Sequence, residues 1–302
     1  MKIQHIIEIA RPKHWIKNLI ILFPIFFSFN VDKSEAWFKV IITLISFSLA
    51  SSASYIFNDI QDRDRDRFHP VKQNRPIASG QISLATASIE SGLLLLLSFL
   101  VAQIAGTSVL LLVIVYLIIQ AGYSVILKNK MVVDVICIAL GFVTRAMAGA
   151  ACIRVEISPW LIICTFTISL FMGFCKRGNE IATINNKTQA EGHRITLPGY
   201  TPELLTHFIT LSAGVAVVSF LLYSSSPMTV ERFGTIYLSY TLPLVIYGIF
   251  RFAMLSMRGT YADPTDLILR DRPFQATVLL WAVLAFIIIY WGHTVQTWLE
   301  NG

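Results

Sequence analysis

The sequence is short of charge. Only 14% of its 302 residues are Asp, Glu, Lys or Arg, and 55% are apolar, whereas soluble chains carry roughly 25% charged residues. A cytosolic globule and a disordered chain are excluded on that ground. Cysteine is scarce as well. Cys137, Cys152, Cys164 and Cys175 contain no CxxC pair, and three lie in apolar runs, so neither a zinc site nor a disulfide framework is expected. They read as small buried hydrophobes. A cleavable leader is not expected either. Lys2, Glu8, Arg11, Lys13 and Lys17 spread charge over the first turns, and no small-residue cleavage site closes the first apolar run. Residues 1–15 read instead as an interfacial helix with Trp15 at headgroup level.

What the sequence has in abundance is apolar segments. They fall at about 16–30, 36–56, 83–105, 107–126, 131–151, 158–175, 204–224, 233–255 and 273–293. A spanning helix needs about 20 apolar residues, so the expectation is an all-α polytopic membrane protein. It would be a bundle of about nine transmembrane helices forming one integral-membrane domain over residues 1–302. The first segment is short and contains Pro24, which predicts a tilt or kink. The net charge of +6 reads as an orientation signal and not as a sign of nucleic acid binding. With the N-terminus inside, 19 of the 24 Lys and Arg fall in inner segments and four in outer ones, with Arg145 inside a span. The expected orientation is therefore N-terminus cytoplasmic, in the cytoplasmic membrane. The long loops, 57–82, 176–203 and 256–272, then share the cytoplasmic face and form a polar cap.

The strongest local signal continues the second span: Tyr55-Ile-Phe-Asn58-Asp59-Ile-Gln-Asp62-Arg-Asp64-Arg-Asp66. Asn58, Asp62 and Asp66 are four residues apart, so a helix sets them on one face, with Tyr55 one turn earlier and Asp59 adjacent. Carboxylates at that spacing repel, so a cation is expected on the stripe. Hard oxygens of this kind suit Mg²⁺, which takes one or two carboxylates together with substrate phosphates. Local pairing with Arg63, Arg65 and Arg67 is the alternative. The span leading in carries Ser46, Ser48, Ser51, Ser52 and Ser54, which suits a helix facing a cavity. Past the stripe, Lys72 and Arg75 sit in a loop with two prolines and a glycine, from which they would lean back and hold phosphate oxygens.

These residues resemble the UbiA superfamily of intramembrane prenyltransferases. The resemblance rests on NDxxDxxxD at the end of the second span, on HPxKxxRPIxSG after it, and on Arg11-Pro12-Lys13-His14-Trp15-Ile16-Lys17-Asn18 before the first. Most members carry a second DxxxD motif after the sixth span. Here that stretch reads Lys176-Arg177-Gly-Asn-Glu180. With Tyr123-Ser-Val-Ile-Leu-Lys128, Leu197-Pro198-Gly199-Tyr200-Thr201 and Leu269-Arg270-Asp271-Arg272, the chain is similar to the decaprenyl-phosphate phosphoribosyltransferase branch. That resemblance implies Mg²⁺-dependent transfer of 5-phosphoribose from phosphoribosyl pyrophosphate to a polyprenyl phosphate, with release of diphosphate. It implies a product used in making cell-wall arabinose donors.

On this reading Asp59, Asp62 and Asp66 are catalytic, and Asn58, Asp62 and Asp66 hold the metal. Lys17, Tyr55, Lys72, Arg75 and Arg145 bind the donor. Lys128, Lys176, Arg177 and Glu180 bind the lipid phosphate. Asp134 and Arg145 lie in the fifth span eleven residues apart, on one face but too far apart to pair. Such groups usually face a bundle interior and mark function. Asp134, His193 and Arg194 receive no role. The partners expected are the sugar donor, the lipid phosphate and the bilayer, with no nucleic acid; a homo-oligomer is compatible with all of this. Two rivals remain: an aromatic prenyltransferase using a prenyl diphosphate, and a transporter, whose polar site would lie nearer the midplane.

Overall fold

The computed structural model describes residues 3–68, 72–182, 199–261 and 264–301. Among them, helix is the only regular structure. The α-helices in chain order are α1 (Ile3–Ala10), α2 (Phe23–Phe26), α3 (Ser34–Asp66), α4 (Leu84–Ala105), α5 (Thr107–Val125), α6 (Val133–Cys152), α7 (Pro159–Ala182), α8 (Pro202–Ser225), α9 (Pro227–Phe233), α10 (Leu242–Met257), α11 (Pro264–Arg270) and α12 (Arg272–Asn301). Eight helical segments among the described residues are long and apolar enough to cross a membrane: α3 to α8, Tyr237–Met257 and Arg272–Thr294. The all-α polytopic expectation holds, and eight of the nine expected spans have a counterpart.

The first expected span takes another form. A 3-10 helix runs from Pro12 to Leu22 and passes into the four-residue α2. Prolines stand in the first turn of each element, where a missing N–H is tolerated. A proline every dozen residues leaves no room for one continuous α-helix of spanning length. The segment is tied to its neighbours by side chains. Ser52 Oγ donates to the Ala10 carbonyl at 2.7 Å, Trp15 Nε1 donates to Ser52 Oγ at 3.0 Å, and Asn18 Nδ2 donates to Ser48 Oγ at 3.0 Å. Trp15 is thus bonded to α3 as well as part-exposed. Gly149 on α6 lets the segment come close: a Cβ there would lie 2.2 Å from the Ile21 carbonyl oxygen.

The described residues pack as two compact units, one of residues 3–157 with Gly199 and one of residues 158–182 and 200–301. The first contains α1 to α6. Its core joins Ile21, Ile25, Val40, Phe47, Val113, Tyr116 and Ala148. The helix α3 organises this unit. Thirty-three residues make a rod of about 50 Å, against a hydrocarbon core of about 30 Å, so its last turns run past the apolar stretch. Beneath those turns a smaller cluster packs Ile9 of α1, Ile56 of α3, and Ile77 and Ile82 of the following turn. Each buried isoleucine contributes roughly 1.5–3 kcal/mol. Ile9 and Ile77 stand two residues from Arg11 and Arg75, so this cluster also fixes the backbones that carry those two cations.

The second unit, taken by itself, contains α7 to α12. Its aromatic contacts join α7, α10 and α12, with Phe171 and Phe252 5.7 Å apart and Phe252 and Phe274 5.8 Å apart. Asp271 caps α12 by accepting from the Phe274 amide at 2.8 Å. It also receives Arg251 of α10 through two bonds, of 2.6 and 2.9 Å. The Arg251 hydrogen bond holds the Asp271 carboxyl below the usual carboxylate range, against the opposing effect of burial.

Candidate active site

Asn58, Asp59, Asp62 and Asp66 all lie on the last turns of α3, as the i, i+4 pattern predicts. The face splits into two rows. On one, Lys128 Nζ reaches Asp62 Oδ1 at 2.7 Å and Asn58 Oδ1 at 3.2 Å, while Asn58 Nδ2 donates to Asp62 Oδ2 at 3.2 Å. On the other, Arg75 Nη1 bridges Asp59 Oδ1 at 2.9 Å and Asp66 Oδ2 at 2.6 Å, two residues seven apart and so two turns apart. Arg11 Nη2 meets both oxygens of Asp59 at 2.6 Å. The Arg11 guanidinium also stands over the Tyr55 ring, 5.4 Å from its centroid. Asp59, Asp66 and Lys128 are buried, with side chains no more than 7% exposed, whereas Arg11 and Arg75 are 22% and 27% exposed.

The expected local pairs exist but are long and outward: Arg65 lies 4.0 Å from Asp62 and Arg67 3.7 Å from Asp64. Exposed pairs of that kind contribute about 0–1 kcal/mol. The cations that matter come from elsewhere in the chain.

Three segments deliver them. Arg11 closes α1 in the left-handed region, with φ 52° and ψ 55°, a conformation that costs an L-residue roughly 1–2 kcal/mol. Arg75 directly follows the 3-10 turn Lys72–Asn74. Lys128 lies in the 3-10 turn Leu127–Asn129. That turn leads to Val132, a β-branched residue at φ 66°, immediately before α6. Strain of this kind costs of order 1–3 kcal/mol and collects at functional sites.

The other predicted residues are carried by other elements. Arg145 is buried and donates to Asn18 Oδ1 at 2.6 Å, the Gly141 carbonyl at 2.9 Å, Tyr116 Oη at 3.0 Å and Ser51 Oγ at 3.4 Å. Its guanidinium also lies 4.6 Å from the Tyr116 ring centroid. It was expected to bind the donor; its protein partners instead take up all three of its nitrogens, and the structure does not bring it to the aspartates. Lys17 is on the first 3-10 helix. Asp134 is buried at the start of α6, where its carboxylate accepts from the Val135 amide at 2.9 Å. Lys176, Arg177 and Glu180 end α7 in the second unit, where the fully buried Arg177 bonds Glu180. His69, His193 and Arg194 lie outside the described residues, as do Leu197 and Pro198.

Arg11 is the site residue that the sequence reading left without a role. Its signal is there in retrospect: a cation directly before a proline, at the polar end of an amphipathic helix. Among the described residues no three His, Cys, Asp or Glu side chains stand together as a group able to hold a metal by themselves. A metal on this face would be completed by oxygens from a ligand. The donor set suits that arrangement, since Asn58, Asp62 and Asp66 offer hard oxygens and Mg²⁺ draws its remaining ligands from substrate phosphates.

Eight long apolar helical segments among the described residues, one of them ending in a polar, ion-paired turn, define a multi-pass membrane protein. Residues 19–269 match the UbiA prenyltransferase family, and the chain belongs to that family. It is similar to the decaprenyl-phosphate phosphoribosyltransferase of Mycolicibacterium smegmatis, with 30% identity over 95% of this chain and 93% of that protein. The protein of the same name from Corynebacterium glutamicum is 31% identical, over 94% of this chain and 86% of its own. The fold is also that of a UbiA homolog from Archaeoglobus fulgidus solved with GPP and Mg²⁺. That structure has a TM-score of 0.71 at 20% identity and covers 94% of this chain and 99% of its own.

Proposed function

We propose that the protein transfers 5-phosphoribose from phosphoribosyl pyrophosphate to a polyprenyl phosphate and releases diphosphate. The observation that carries this reading is the near end-to-end likeness to decaprenyl-phosphate phosphoribosyltransferases. The acidic end of α3 supports it, because hard oxygens interleaved with arginine and lysine suit a diphosphate-bearing donor.

Asn58, Asp62 and Asp66 would hold Mg²⁺, which when bound neutralises the diphosphate as it departs. Arg75, with Lys72, Lys17 and Tyr55, holds the donor. Arg75 is the best placed of these, since it already spans two carboxylates. The lipid monophosphate is an anion at neutral pH, so its oxygen attacks the anomeric carbon without a general base. Lys128 stands against Asp62, so a lipid phosphate drawn to it is held beside the donor. Catalysis then rests on positioning and on charge complementarity. Lys176, Arg177 and Glu180 are proposed as lipid-phosphate residues on the sequence pattern alone. Arg145 is proposed to brace the interior, given its four protein partners. The excess of Lys and Arg in inner segments supports a cytoplasmic placement of the N-terminus and of the acidic end.

The test is a choice of substrates. Purified protein receives either labelled phosphoribosyl pyrophosphate with polyprenyl phosphate, or a prenyl diphosphate with an aromatic acid. Labelled lipid in the first mixture, dependent on Mg²⁺, is expected. Product only in the second would replace this reading with aromatic prenyl transfer. Counterflow of a solute in liposomes, with no product in either, would indicate a transporter.

A further inference from the structure

Asp59, Asp62 and Asp66 carry three negative charges, and Arg11, Arg75 and Lys128 supply three positive ones. None of these pairs is an i, i+4 neighbour. The partners lie 48, 16, 9 and 66 residues apart in the chain, so the balance is a product of the tertiary fold. Arg11 and Arg75 reach water while the carboxylates beneath them do not. They therefore stand between Asp59 and Asp66 and the solvent. A divalent ion arriving alone must displace a cation from oxygens 2.6 to 2.9 Å away and then sit beside the displaced charge. An ion arriving with diphosphate meets no such penalty, because arginine binds phosphate oxygens as well as carboxylate oxygens.

We propose that Arg11 and Arg75 form an exchange pair. They neutralise Asp59 and Asp66 until a diphosphate arrives, then pass to its oxygens, so that a divalent ion enters only together with the diphosphate. The inference rests on the metal-holding face described under Proposed function. No covalent step is involved.

The probe is Mn²⁺, with protein-bound ion measured by equilibrium dialysis of the full-length protein in detergent, with and without inorganic diphosphate. The wild type is expected to bind Mn²⁺ roughly tenfold more tightly when diphosphate is present, a change of about 1.4 kcal/mol. Arg75→Gln uncovers oxygens of two carboxylates and is expected to bind Mn²⁺ alone about tenfold more tightly than the wild type. Arg11→Gln, which leaves the ion-holding residues untouched and removes only the positive charge beside Asp59, gives a smaller gain and serves as the second variant should Arg75→Gln fail to fold. Arg75→Lys keeps a cation and stays near the wild type. Equal wild-type binding with and without diphosphate, unchanged in Arg75→Gln and Arg11→Gln, overturns the exchange and leaves the metal face standing. No bound Mn²⁺ in any of these proteins with diphosphate present overturns the metal face, and the exchange with it.

Discussion

At the end of α3 three carboxylates are met by three cations from separate segments. Eight residues before Asp59 on the same helix, about 12 Å away, Ser51 belongs to a layer in which the Arg145 guanidinium is bonded only to neutral groups: an amide oxygen, a carbonyl and two hydroxyls. The two regions hold charge differently. In the first, Arg11 and Arg75 reach water and cover the buried Asp59 and Asp66, and on the exchange proposed above a polyanion takes over those two cations. In the second, dipoles on the first 3-10 helix, α3, α5 and α6 surround one cation, and replacing any of them leaves a buried group unsatisfied. The first arrangement suits turnover and the second suits rigidity.

The largest effect that separates them should be on chemistry. Asp62→Asn keeps the size and the bond to Asn58 but removes a charge from the ion-holding face. Phosphoribose transfer by the folded variant should fall by roughly 10²–10³-fold, the scale seen when one electrostatic group is lost from a site, and the melting temperature in detergent should fall less, because the buried Lys128 loses its carboxylate partner. Near-normal transfer would remove Asp62 from the site. Arg145→Leu should do the reverse and lower stability first. Each buried partner left unsatisfied costs about 1–3 kcal/mol, read as a lower unfolding midpoint. A variant that melts normally but loses donor affinity would move Arg145 into the donor site and erase the contrast.

A smaller effect tests the packing beneath Arg145. Gly149→Ala places a methyl against the Ile21 carbonyl, and overpacking of this kind costs typically 1–3 kcal/mol. The midpoint should fall, with Mn²⁺ binding at the acidic end retained in the protein that remains folded. The smallest effect belongs to a fixed ion pair outside both regions. Asp271 has its folded pKa lowered by Arg251, so its contribution to stability is fully present above the unfolded pKa of about 3.9. It is lost as pH falls through the lower folded value. Asp271→Asn keeps a capping oxygen, since Asn caps as well as Asp, but loses the charge that meets Arg251, so it should melt lower than the wild type by about 1 kcal/mol at neutral pH. The gap should narrow in acid, and a gap that widens there would reverse the sign of the linkage.

The spans were legible because membrane burial writes itself as apolar runs, and the acidic face because i, i+4 spacing is local. Pairing was not legible. Nothing near Arg11 in the chain points to Asp59, and nothing near Lys128 points to Asp62, since those contacts depend on how the neighbouring segments register against α3. The first span was misjudged in form for a related reason: Pro12 and Pro24 were visible, but a 3-10 path needs Gly149 opposite Ile21 to be accommodated. Arg145 read as a functional cation because an ionisable group inside a span usually is one. Asn18, Ser51 and Tyr116, which satisfy it, come from three other elements.

The unbroken run of α3 from Ser34 to Asp66 has a mechanical corollary. A straight helix is an indexing shaft: its far end keeps a fixed phase relative to its near end. Inserting one residue in the apolar stretch would turn the aspartate rows by about 100°, away from every cation that now meets them. Four inserted residues nearly restore the phase but lift the rows by about 6 Å. The length of this helix between lipid and water is thus as tightly constrained as the identity of its carboxylates.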